Sequence, residues 1–520
     1  MPSIIQKIKL INYKRFKEYT IEPNPLINIL VGDNEVGKSS IVEAIDLVAS
    51  GNIRKVESIG IDRLLNIDVV QEFNAGERIY DNLPKMIVEL YLNGEFDHTM
   101  NGKNNSECIT CDGIRLICEP NFDFRHEITE SMQVQDDYFP YDYYSIRFST
   151  FADEGYTGYK KKLRSILIDS TNMSSEYATN DFVKRMYGKY TEENTNERAV
   201  HKSKYRQLKN SFRSDSLQTL NSRIPADKKY AFGLKPSSAT GIENDLMIFE
   251  DDIGIDSKGT GRQVFIKTDF ALERSGANVD VILIEEPENH LSHVNLRKLI
   301  DRVSETQSQI FITTHNSLIS TRLELRNLLI MHEKNSDKPV SLRDLKEDTA
   351  KYFIKAPVGN IIEVVISNKV ILVEGPSEYM LFEKFYETTT GHKSENDDVH
   401  IIDVRGLSFK RYLEITHLLG SKATVITDND GNKQKCCIDK YSDFSDDTNI
   451  KICYEEDEQK STFEKVLYSD NKNLCDRIFD GNALDYMLKN KTEAAYSLLN
   501  QIENIVVPKY IREAIEWIKE

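Results

Sequence analysis

The sequence has no apolar run long enough to cross a membrane. Its longest runs, such as VDVILI at residues 280–285, reach about six residues, whereas a membrane helix needs roughly twenty. After Met1 there is no charged segment followed by an apolar one, so no secretory leader is predicted. We therefore expect a cytoplasmic protein without a membrane segment.

Cysteine is scarce and poorly spaced for a structural zinc site. The chain has seven cysteines in 520 residues. Cys108 and Cys111, with Cys118 nearby, have the local spacing of half a zinc site, but a second complete pair is missing. Cys436 and Cys437 are adjacent, which suits neither a disulfide nor a zinc site. Free thiols in a reducing compartment are the better interpretation.

Positive charge is also in deficit, since the formal net charge is −17. This charge excludes nonspecific coating of DNA by the whole surface, but it does not exclude an enzyme of nucleic acids, because metal-binding carboxylates contribute to it. Residues 155–230 are the exception, with 16 Lys and Arg against 8 Asp and Glu. We expect this basic segment to form a helical arm for dimer or higher assembly, with DNA contact as a secondary role.

The length predicts two to four domains. Short apolar strands alternate with helical patterns over residues 1–154 and again over 236–350, which we assign to two parts of one domain. Residues 155–235 lose the strand pattern and are assigned to a helical insert. Charged segments around 335–365 suggest a linker, and strand–helix alternation over 366–520 predicts a second α/β domain with a parallel sheet.

The stretch GDNEVGKSS at residues 32–40 has the spacing of a phosphate-binding loop between an apolar strand and a helix. Gly32 and Gly37 would let backbone N–H groups turn toward phosphate oxygens at the helix N-terminus. Lys38 would reach the β and γ phosphates of ATP, and Ser39 would hold Mg²⁺. The remaining loop positions assigned to nucleotide binding are Asn34 and Ser40.

Further residues follow in the order that such an ATP site requires. Glu285 and Glu286 end the apolar strand VILIE, where the first would join the Mg²⁺ shell and the second would polarise the attacking water. His315 follows another apolar strand and suits a sensor of the γ phosphate. Taken alone, an acidic pair after a strand is usually a solvated strand end, and a single histidine is usually a polar loop residue. In SKGTGRQ, Ser257, Gly259 and Gly261 would face the nucleotide of a second protomer.

A second group of acids follows two later apolar strands. Glu374 comes directly after VILV, with Glu378 one helical turn on, and Asp428 and Asp430 end the strand TVIT. If the strands are parallel neighbours, these carboxylates meet at the sheet edge where α/β proteins hold ligands. Positions i and i+2 of an extended chain would point Asp428 and Asp430 to one side. Such a cluster favours Mg²⁺ or Mn²⁺, although each half alone fits solvated turn acids.

The first group of motifs resembles the ABC-type ATPases of the SMC and RecF-like group. The start IKLINYKRF resembles the first strand of that group, where the residue at the position of Arg15 often lies near the nucleotide. EEPENHLS resembles its Walker B and D-loop, and TTHNS its switch histidine. Most members have Asp at the position of Glu285. A Glu can still bind the metal, but the resemblance gives less support for the family's rate of ATP hydrolysis. The resemblance implies that ATP is bound between two heads of a homodimer.

The second group resembles the Toprim fold, with a strand followed by Glu and Gly, a strand followed by Gly406, and a strand followed by Asp-x-Asp. An ABC-type ATPase followed by Toprim resembles the OLD (overcoming lysogenisation defect) nucleases, which include the Gabija nuclease subunit and retron-associated effectors. The resemblance implies Glu464 as a further metal ligand and Lys491 as a contact to the scissile phosphate. The partner that the resemblance leaves open is a helicase, a retron reverse transcriptase with its nucleic acid, or none.

These features predict an ATP-regulated, metal-dependent DNA endonuclease of bacterial antiphage defence. An ATPase scaffold of DNA repair or chromosome maintenance with an inactive Toprim domain is the main alternative, and the intact Glu374, Asp428 and Asp430 count against it. A topoisomerase would need a nucleophilic tyrosine in a DNA-binding domain, and a primase would need a zinc or template-binding module. The sequence shows no pattern for either.

Overall fold

The computed structural model describes residues 4–93, 98–134, 138–158, 162–169, 183–184, 186–188, 190–191, 194–224, 232, 234, 242–273, 279–305, 307–332, 337–355, 360–406, 408–501 and 505–520. The chain forms two compact units. The first comprises residues 1–160 and 311–520, and the second comprises residues 161–310.

The strands are β1 Ile5–Tyr13, β2 Phe16–Ile21, β3 Ile27–Gly32, β4 Met86–Leu92, β5 Asn101–Gly102, β6 Cys111–Pro120, β7 Tyr144–Thr150, β8 Ser165–Asp169, β9 Phe249–Glu250, β10 Ile253–Gly254, β11 Val281–Glu285, β12 Gln309–Thr313, β13 Leu328–Met331, β14 Val340–Ser341, β15 Lys369–Val373, β16 Val399–Asp403, β17 Lys422–Ile426 and β18 Ile450–Cys453.

The helices are α1 Lys38–Ser50, α2 Ile53–Ile59, α3 Ile61–Leu64, α4 Ile67–Ala75, α5 Arg125–Val134, α6 Thr195–Asp215, α7 Gln218–Asn221, α8 Ile242–Asp245, α9 Thr260–Glu273, α10 His293–Ser304, α11 Ser317–Arg322, α12 Glu347–Lys355, α13 Ile361–Ile366, α14 Pro376–Thr390, α15 Phe409–Leu419, α16 Phe463–Asp470, α17 Lys472–Ile478, α18 Ala483–Lys489, α19 Lys491–Leu499 and α20 Lys509–Lys519. None of these helices has the length and apolar character that a membrane crossing requires.

The N-terminal strands of the first unit form an antiparallel sheet in the order β2-β1-β4-β6-β5, with β7 also paired to β6. In β1 buried residues such as Ile8 and Leu10 alternate with more exposed ones, as expected for a strand with one face on a core. Helix α1 packs against β4 and β6. This helix ends at Gly51, whose φ of 58° is the left-handed conformation that closes helices.

The strand that leads into the phosphate-binding motif, β3, is buried and lies between β13 and β12. It pairs in parallel with β13, with Leu30 opposite Leu329. Its burial explains the apolar run Ile29, Leu30 and Val31, because both faces of a parallel strand are covered. The phosphate-binding motif therefore follows a rigid, buried strand.

In the second unit, β11 pairs in parallel with β8, and Glu285 lies opposite Asp169 in the register. Helices α9 and α10 pack together in this unit. The basic segment contains α6, which is 21 residues long and is capped by the side chain of Asn194. The part of residues 155–235 that the structure describes thus includes a strand as well as helices.

The C-terminal strands form a parallel sheet in the order β16-β15-β17-β18, so the parallel α/β prediction for this region is confirmed. β15 and β17 are direct neighbours, with Leu372 opposite Val425. Helices α14, α19 and α20 enclose one core beside the sheet. In α20 this core receives a single face, which consists of Tyr510, Ile511, Ala514, Ile515 and Ile518.

The segment expected to be a linker, residues 335–365, contains two helices instead. Phe353 of α12 and Val365 of α13 are completely buried. Lys346 and Thr349, at the start of α12, both bond to the Glu414 carboxylate of α15. The charged residues of α12, such as Glu347 and Lys351, are exposed on one face of an amphipathic helix, which is why composition alone suggested a linker.

Candidate functional site

The phosphate-binding loop is held open by two glycines in the first unit. Gly32 has a φ of 152°, and a Cβ there would lie 2.3 Å from the carbonyl oxygen of Met331. Gly37 has a φ of 99°, and its Cβ would lie 2.5 Å from the ring of Phe16. Any other residue at either position would force the loop to move, so the glycine spacing of the motif is a steric requirement here.

Lys38 is 5% exposed and points back into this loop. Its Nζ donates hydrogen bonds to the carbonyl oxygens of Gly32 at 2.9 Å and Asp33 at 2.7 Å. The loop therefore already surrounds a cation at the N-terminus of α1, where backbone N–H groups also favour an anion. Ser39 is exposed in the first turn of this helix, and Ser40 follows it half-buried.

Arg15 and His315 are placed at the same loop. The guanidinium of Arg15, in the turn after β1, donates to the carbonyl oxygen of Glu35. Thr314 N–H donates to the Leu30 carbonyl oxygen at 3.2 Å, which places the exposed His315 one residue beyond a contact with the phosphate-loop strand. The structure thus brings Arg15 to residues 32–38, where Asn34 is exposed.

The other residues predicted for ATP lie in the second unit. Glu285 ends β11, and Glu286 follows it with a left-handed φ of 40° and accepts a hydrogen bond from Asn289 Nδ2 at 2.7 Å. A Cβ on Gly261 would lie 2.1 Å from the carbonyl oxygen of His290, so this glycine permits a close backbone approach. Gly259 has open space at the same position, and Ser257 ends a short helical turn before it.

The acids predicted for the second site share one edge of the C-terminal sheet. Glu374 follows β15 directly, and its carbonyl oxygen accepts from Gly406 N–H at 2.9 Å. Glu378 is buried in the first turn of α14, and Glu464 is buried in the first turn of α16. Both helix positions favour a carboxylate, because the helix N-terminus carries partial positive charge. With Asp428 and Asp430 these three residues form what we call the acidic cluster.

Asp428 and Asp430 lie in a turn that follows β17 and not on the strand itself. β17 ends at Ile426, and Asp430 has a φ of 47°. The turn is held by Asn429, which is 1% exposed and accepts a hydrogen bond from Gly431 N–H at 2.9 Å. The expected extended i, i+2 arrangement is therefore wrong, and the NDG sequence, which is typical of such turns, was the signal for it.

Burial and mutual repulsion dominate the electrostatics of the acidic cluster. Burial, followed by the carboxylates of Glu374, Glu378 and Glu464, raises the pKa of Asp428 to about 8. Burial, together with Glu464 and Glu374, likewise raises the pKa of Glu378 to about 7. Burial and then Asp430 raise the pKa of Glu374. Without a cation, the cluster therefore holds protons near neutral pH.

Lys491 provides the one ion pair of the acidic cluster within the described residues. Its Nζ lies 3.0 Å from Oε1 of Glu464, whose side chain is only 3% exposed. Burial acts to lower the pKa of Lys491, but the bond to Glu464 and the charges of the nearby acids outweigh it, and the pKa is raised. Lys489, the nearby alternative, is exposed at the end of α18 and makes no such contact.

The chemistry of the acidic cluster fits a hard divalent cation. Both oxygens of Glu464 are buried and accept no well-formed hydrogen bond from the residues that the structure describes. In that same part of the chain, no three Asp, Glu, His or Cys side chains stand close enough to enclose an ion as they are. Mg²⁺ keeps several waters and needs only one or two direct carboxylates, so an open arrangement of acids suits it.

Two residues near the acidic cluster were missed from the sequence. Lys440 lies close enough that its charge lowers the pKa of Glu374, against the effects of burial and Asp430. Tyr510 is buried where Asp428 and Glu378 help to raise its pKa, after burial itself. Both lie on segments without a recognisable motif, and no sequence signal indicated them.

Comparisons with known proteins match two regions of the chain. The family model for the AAA ATPase domain matches residues 4–232, and the model for the TOPRIM domain of overcoming lysogenization defect (OLD) protein-like proteins matches residues 366–430. The chain joins an AAA-type ATPase domain to an OLD-like TOPRIM domain. The second match includes Glu374, Glu378, Asp428 and Asp430, and it ends before Glu464 and Lys491.

Two curated nucleases are similar to parts of the chain. Endonuclease GajA of Bacillus cereus (strain VD045) is 26% identical over 159 residues, which are 30% of this chain and 27% of GajA. The Old nuclease of Escherichia phage P2 is 26% identical over 161 residues, which are 29% of this chain and 28% of that protein. The chain thus spans little more than a quarter of the length of either relative.

A solved structure of an Smc head bound to the C-winged helix domain of ScpA is also similar, with a TM-score of 0.35 and 15% sequence identity. The match covers 66% of this chain and all 100% of that one.

Proposed function

We propose that this chain is an ATP-regulated, divalent-metal-dependent DNA endonuclease. The observation that carries the proposal is the acidic cluster, which gathers five carboxylates from three segments at the carboxyl edge of a parallel sheet. Burial raises the pKa of Asp428 to about 8, a cost that a cation would remove. The similarity to proteins named endonuclease GajA and Old nuclease supports DNA as the substrate.

The metal ligands that we propose are Glu374, Glu378, Asp428, Asp430 and Glu464. Mg²⁺ or Mn²⁺ held there would supply Lewis acidity to the phosphodiester and to the attacking water. Around that chemistry, the buried Glu464 and Glu378 are fixed by the first turns of two helices. The proposed catalytic acids Glu374, Asp428 and Asp430 lie on the more open side, where a DNA strand can approach.

Lys491 is proposed to contact the scissile phosphate. Its side chain is 51% exposed, while the Glu464 carboxylate that it pairs with is buried. Lys491 is therefore partly open to solvent at the acidic cluster. Its ammonium group can exchange its contact with the Glu464 carboxylate for a contact with a phosphate oxygen. A cation at this point would offset the repulsion between the phosphodiester and the acids.

The ATPase domain is proposed to regulate cleavage. Lys38, Ser39 and the backbone of residues 32–40 would hold the phosphates of ATP and its Mg²⁺, with Arg15 and His315 close by. In the second unit, Glu285 is proposed to bind the Mg²⁺ of the nucleotide and Glu286 to polarise the attacking water. ATP controls cutting only if it binds two arrangements of the protein with different affinity.

We propose further that the protein is a cytoplasmic effector of antiphage defence that works as a homodimer or larger assembly. A helicase, or a retron reverse transcriptase with its nucleic acid, is the expected partner of this type of nuclease. For self-assembly the helix α6 offers a suitable surface, because Val200, Leu208 and Phe212 are 50%, 63% and 46% exposed. The defence role is tested by challenging cells with phage. Cells that carry the parent gene should show fewer plaques, whereas cells that carry its Asp428→Ala variant should not.

The assembly proposal is tested with substitutions that leave β8 intact, since that strand is part of the second unit's sheet. Leu208→Ser with Phe212→Ser should lower the mass of the protein in solution, as measured by light scattering. Gln207→Ala, on the same helix and also exposed, is the control. An oligomer that is unchanged by the double substitution would remove α6 from the interface.

The nuclease proposal is tested by plasmid nicking with Mg²⁺ or Mn²⁺, with and without ATP. The parent should nick, Asp428→Ala should lose nicking while it keeps ATP hydrolysis, and Lys38→Ala should keep the metal-dependent chemistry but lose its response to ATP. Asp446→Ala removes an exposed acid of the same domain outside the acidic cluster and should nick like the parent. Full nicking by Asp428→Ala would refute the site, and a parent that never nicks would favour the ATPase scaffold.

A further inference from the structure

The chain folds back over the acidic cluster directly after Asp430. Residues 434–438 form a wide helical turn, and residues 439–444 continue as a tight one. The thiol of Cys437 lies 3.5 Å from the carbonyl oxygen of Asp428, and Cys437 is 2% exposed. Tyr441 is equally buried and packs its ring against Phe409 of α15, with centroids 6.4 Å apart. This segment, residues 434–444, is therefore fixed against the catalytic turn.

Lys440 lies between these two anchors. It follows Cys437 by three residues in a helical segment, which places the two side chains on neighbouring positions of one face. Its Nζ lies 5.1 Å from the centroid of the Tyr441 ring, and its charge partly offsets the rise that burial causes in the pKa of Glu374 and of Cys437. The ammonium group is thus held beside the Glu374 side of the acidic cluster.

No carboxylate in the described part of the chain forms an ion pair with Lys440, whereas Lys410, Lys433 and Lys491 are each paired with one. The Nζ of Lys440 contacts an aromatic ring instead, and the side chain is half-buried. The chain has a net charge of −17. Lys440 lies beside several acids without an ion pair, so its ammonium group remains available to bind an anionic ligand. The partners of these three lysines are Asp443 for Lys410, Glu456 for Lys433 and Glu464 for Lys491.

We propose that Lys440 binds a backbone phosphate of the DNA substrate at the Glu374 side of the acidic cluster, as a second cation distinct from Lys491. This inference rests on the proposed DNA endonuclease activity and names a specific residue that holds its substrate. The contact would be to a phosphate and not to a base, so it adds affinity and position but no sequence preference. A single lysine–phosphate contact contributes about 0.9 to the slope of log affinity against log salt.

The test measures DNA binding in the presence of Mg²⁺ by fluorescence anisotropy, with all variants made in the non-cleaving Asp428→Asn background. Lys440→Met should weaken binding on the order of tenfold at low salt and make the salt slope shallower by about 0.9. Lys440→Arg should retain most of the affinity and the slope, because it keeps the cation. Lys435→Met is the matched control, since Lys435 lies exposed on the same segment.

Unchanged affinity and slope for Lys440→Met, or equal losses for Lys435→Met, would overturn the assignment. Thermal unfolding of each variant checks that segment 434–444 still folds, and Lys440→Arg excludes a loss that comes only from packing. In the cleavage-competent background, Lys440→Met should raise KM more than it lowers kcat. If the parent binds DNA through Lys440 but never cuts it, the endonuclease proposal fails and the phosphate contact stands.

Discussion

Oε1 of Glu464 lies 3.0 Å from Nζ of Lys491, and the two residues begin different helices of the C-terminal domain. The Glu464 side chain is 3% exposed and the Lys491 side chain is 51% exposed. The pair therefore connects a buried carboxylate of the acidic cluster to a lysine that is half exposed to solvent. A buried carboxylate without a compensating charge is costly. Lys491 therefore has a structural role in the metal-free protein besides the catalytic role that we propose.

The first prediction follows from this pair. Lys491→Met should destabilise the metal-free protein by about 1–2 kcal/mol, which is less than for a fully buried pair because Lys491 is half exposed. Glu464→Gln should be better tolerated, since it removes the buried charge itself. In the double variant the loss should be smaller than the sum of the single losses. Urea unfolding in EDTA measures all four proteins.

Lys489→Met serves as the control for this cycle, because Lys489 is exposed two residues earlier. Additive losses across the cycle would show that Glu464 and Lys491 do not interact in solution. Cleavage should fall with either single change, because both residues belong to the proposed site.

The positions of Glu374 and Asp428 were predictable because apolar runs mark buried parallel strands, and the carboxyl ends of such strands share an edge. The left-handed turn at Asp430 does not follow from that rule, since it depends on the Asn429 side chain. Lys440 and Tyr510 could not be predicted, because packing over long sequence separations brings them to the site. The pairing of Glu464 with Lys491 likewise depends on how two short helices pack, which no local pattern reports.

A second prediction concerns the phosphate-binding loop. Lys38→Ala should abolish tight ATP binding, because it removes the cation that Gly32 and Asp33 hold at the N-terminus of α1. The rise in unfolding temperature that ATP produces in the parent should disappear with it. Lys85→Ala, which breaks a surface ion pair with Glu119, should leave that rise unchanged. ATP-dependent stabilisation that survives Lys38→Ala would show that the nucleotide binds elsewhere.

A third prediction separates nucleotide binding from hydrolysis. Glu286→Gln keeps the size of the side chain and can still bond to Asn289, but it cannot polarise water as a carboxylate does. The variant should bind ATP like the parent and hydrolyse it at least about a hundredfold more slowly, which is within the usual range of general base effects. Phosphate release at saturating ATP measures this rate. Parental turnover by Glu286→Gln would assign the base to another residue.

The last prediction concerns pH and metal together. The pKa of Asp428 is raised to about 8 and that of Glu378 to about 7, whereas the unfolded chain has ordinary carboxyl pKa values near 4. Between about pH 4 and pH 8 these two groups therefore bind more protons in the folded, metal-free protein than in the unfolded chain, so their contribution to stability falls as the pH rises through this window. Mg²⁺ should reverse that loss, because it binds the ionised acids of the folded state only.

Urea unfolding at pH 6 and pH 8.5, in EDTA or Mg²⁺, measures this effect. The parent should gain more stability from Mg²⁺ at the higher pH, on the order of a few kcal/mol. Asp428→Asn should lower both the dependence on pH and the gain from Mg²⁺, since its amide neither titrates nor binds the ion well. Asp446→Asn changes an exposed acid by the same chemistry and should behave like the parent. An equal gain from Mg²⁺ in all three proteins would place the bound metal outside the acidic cluster.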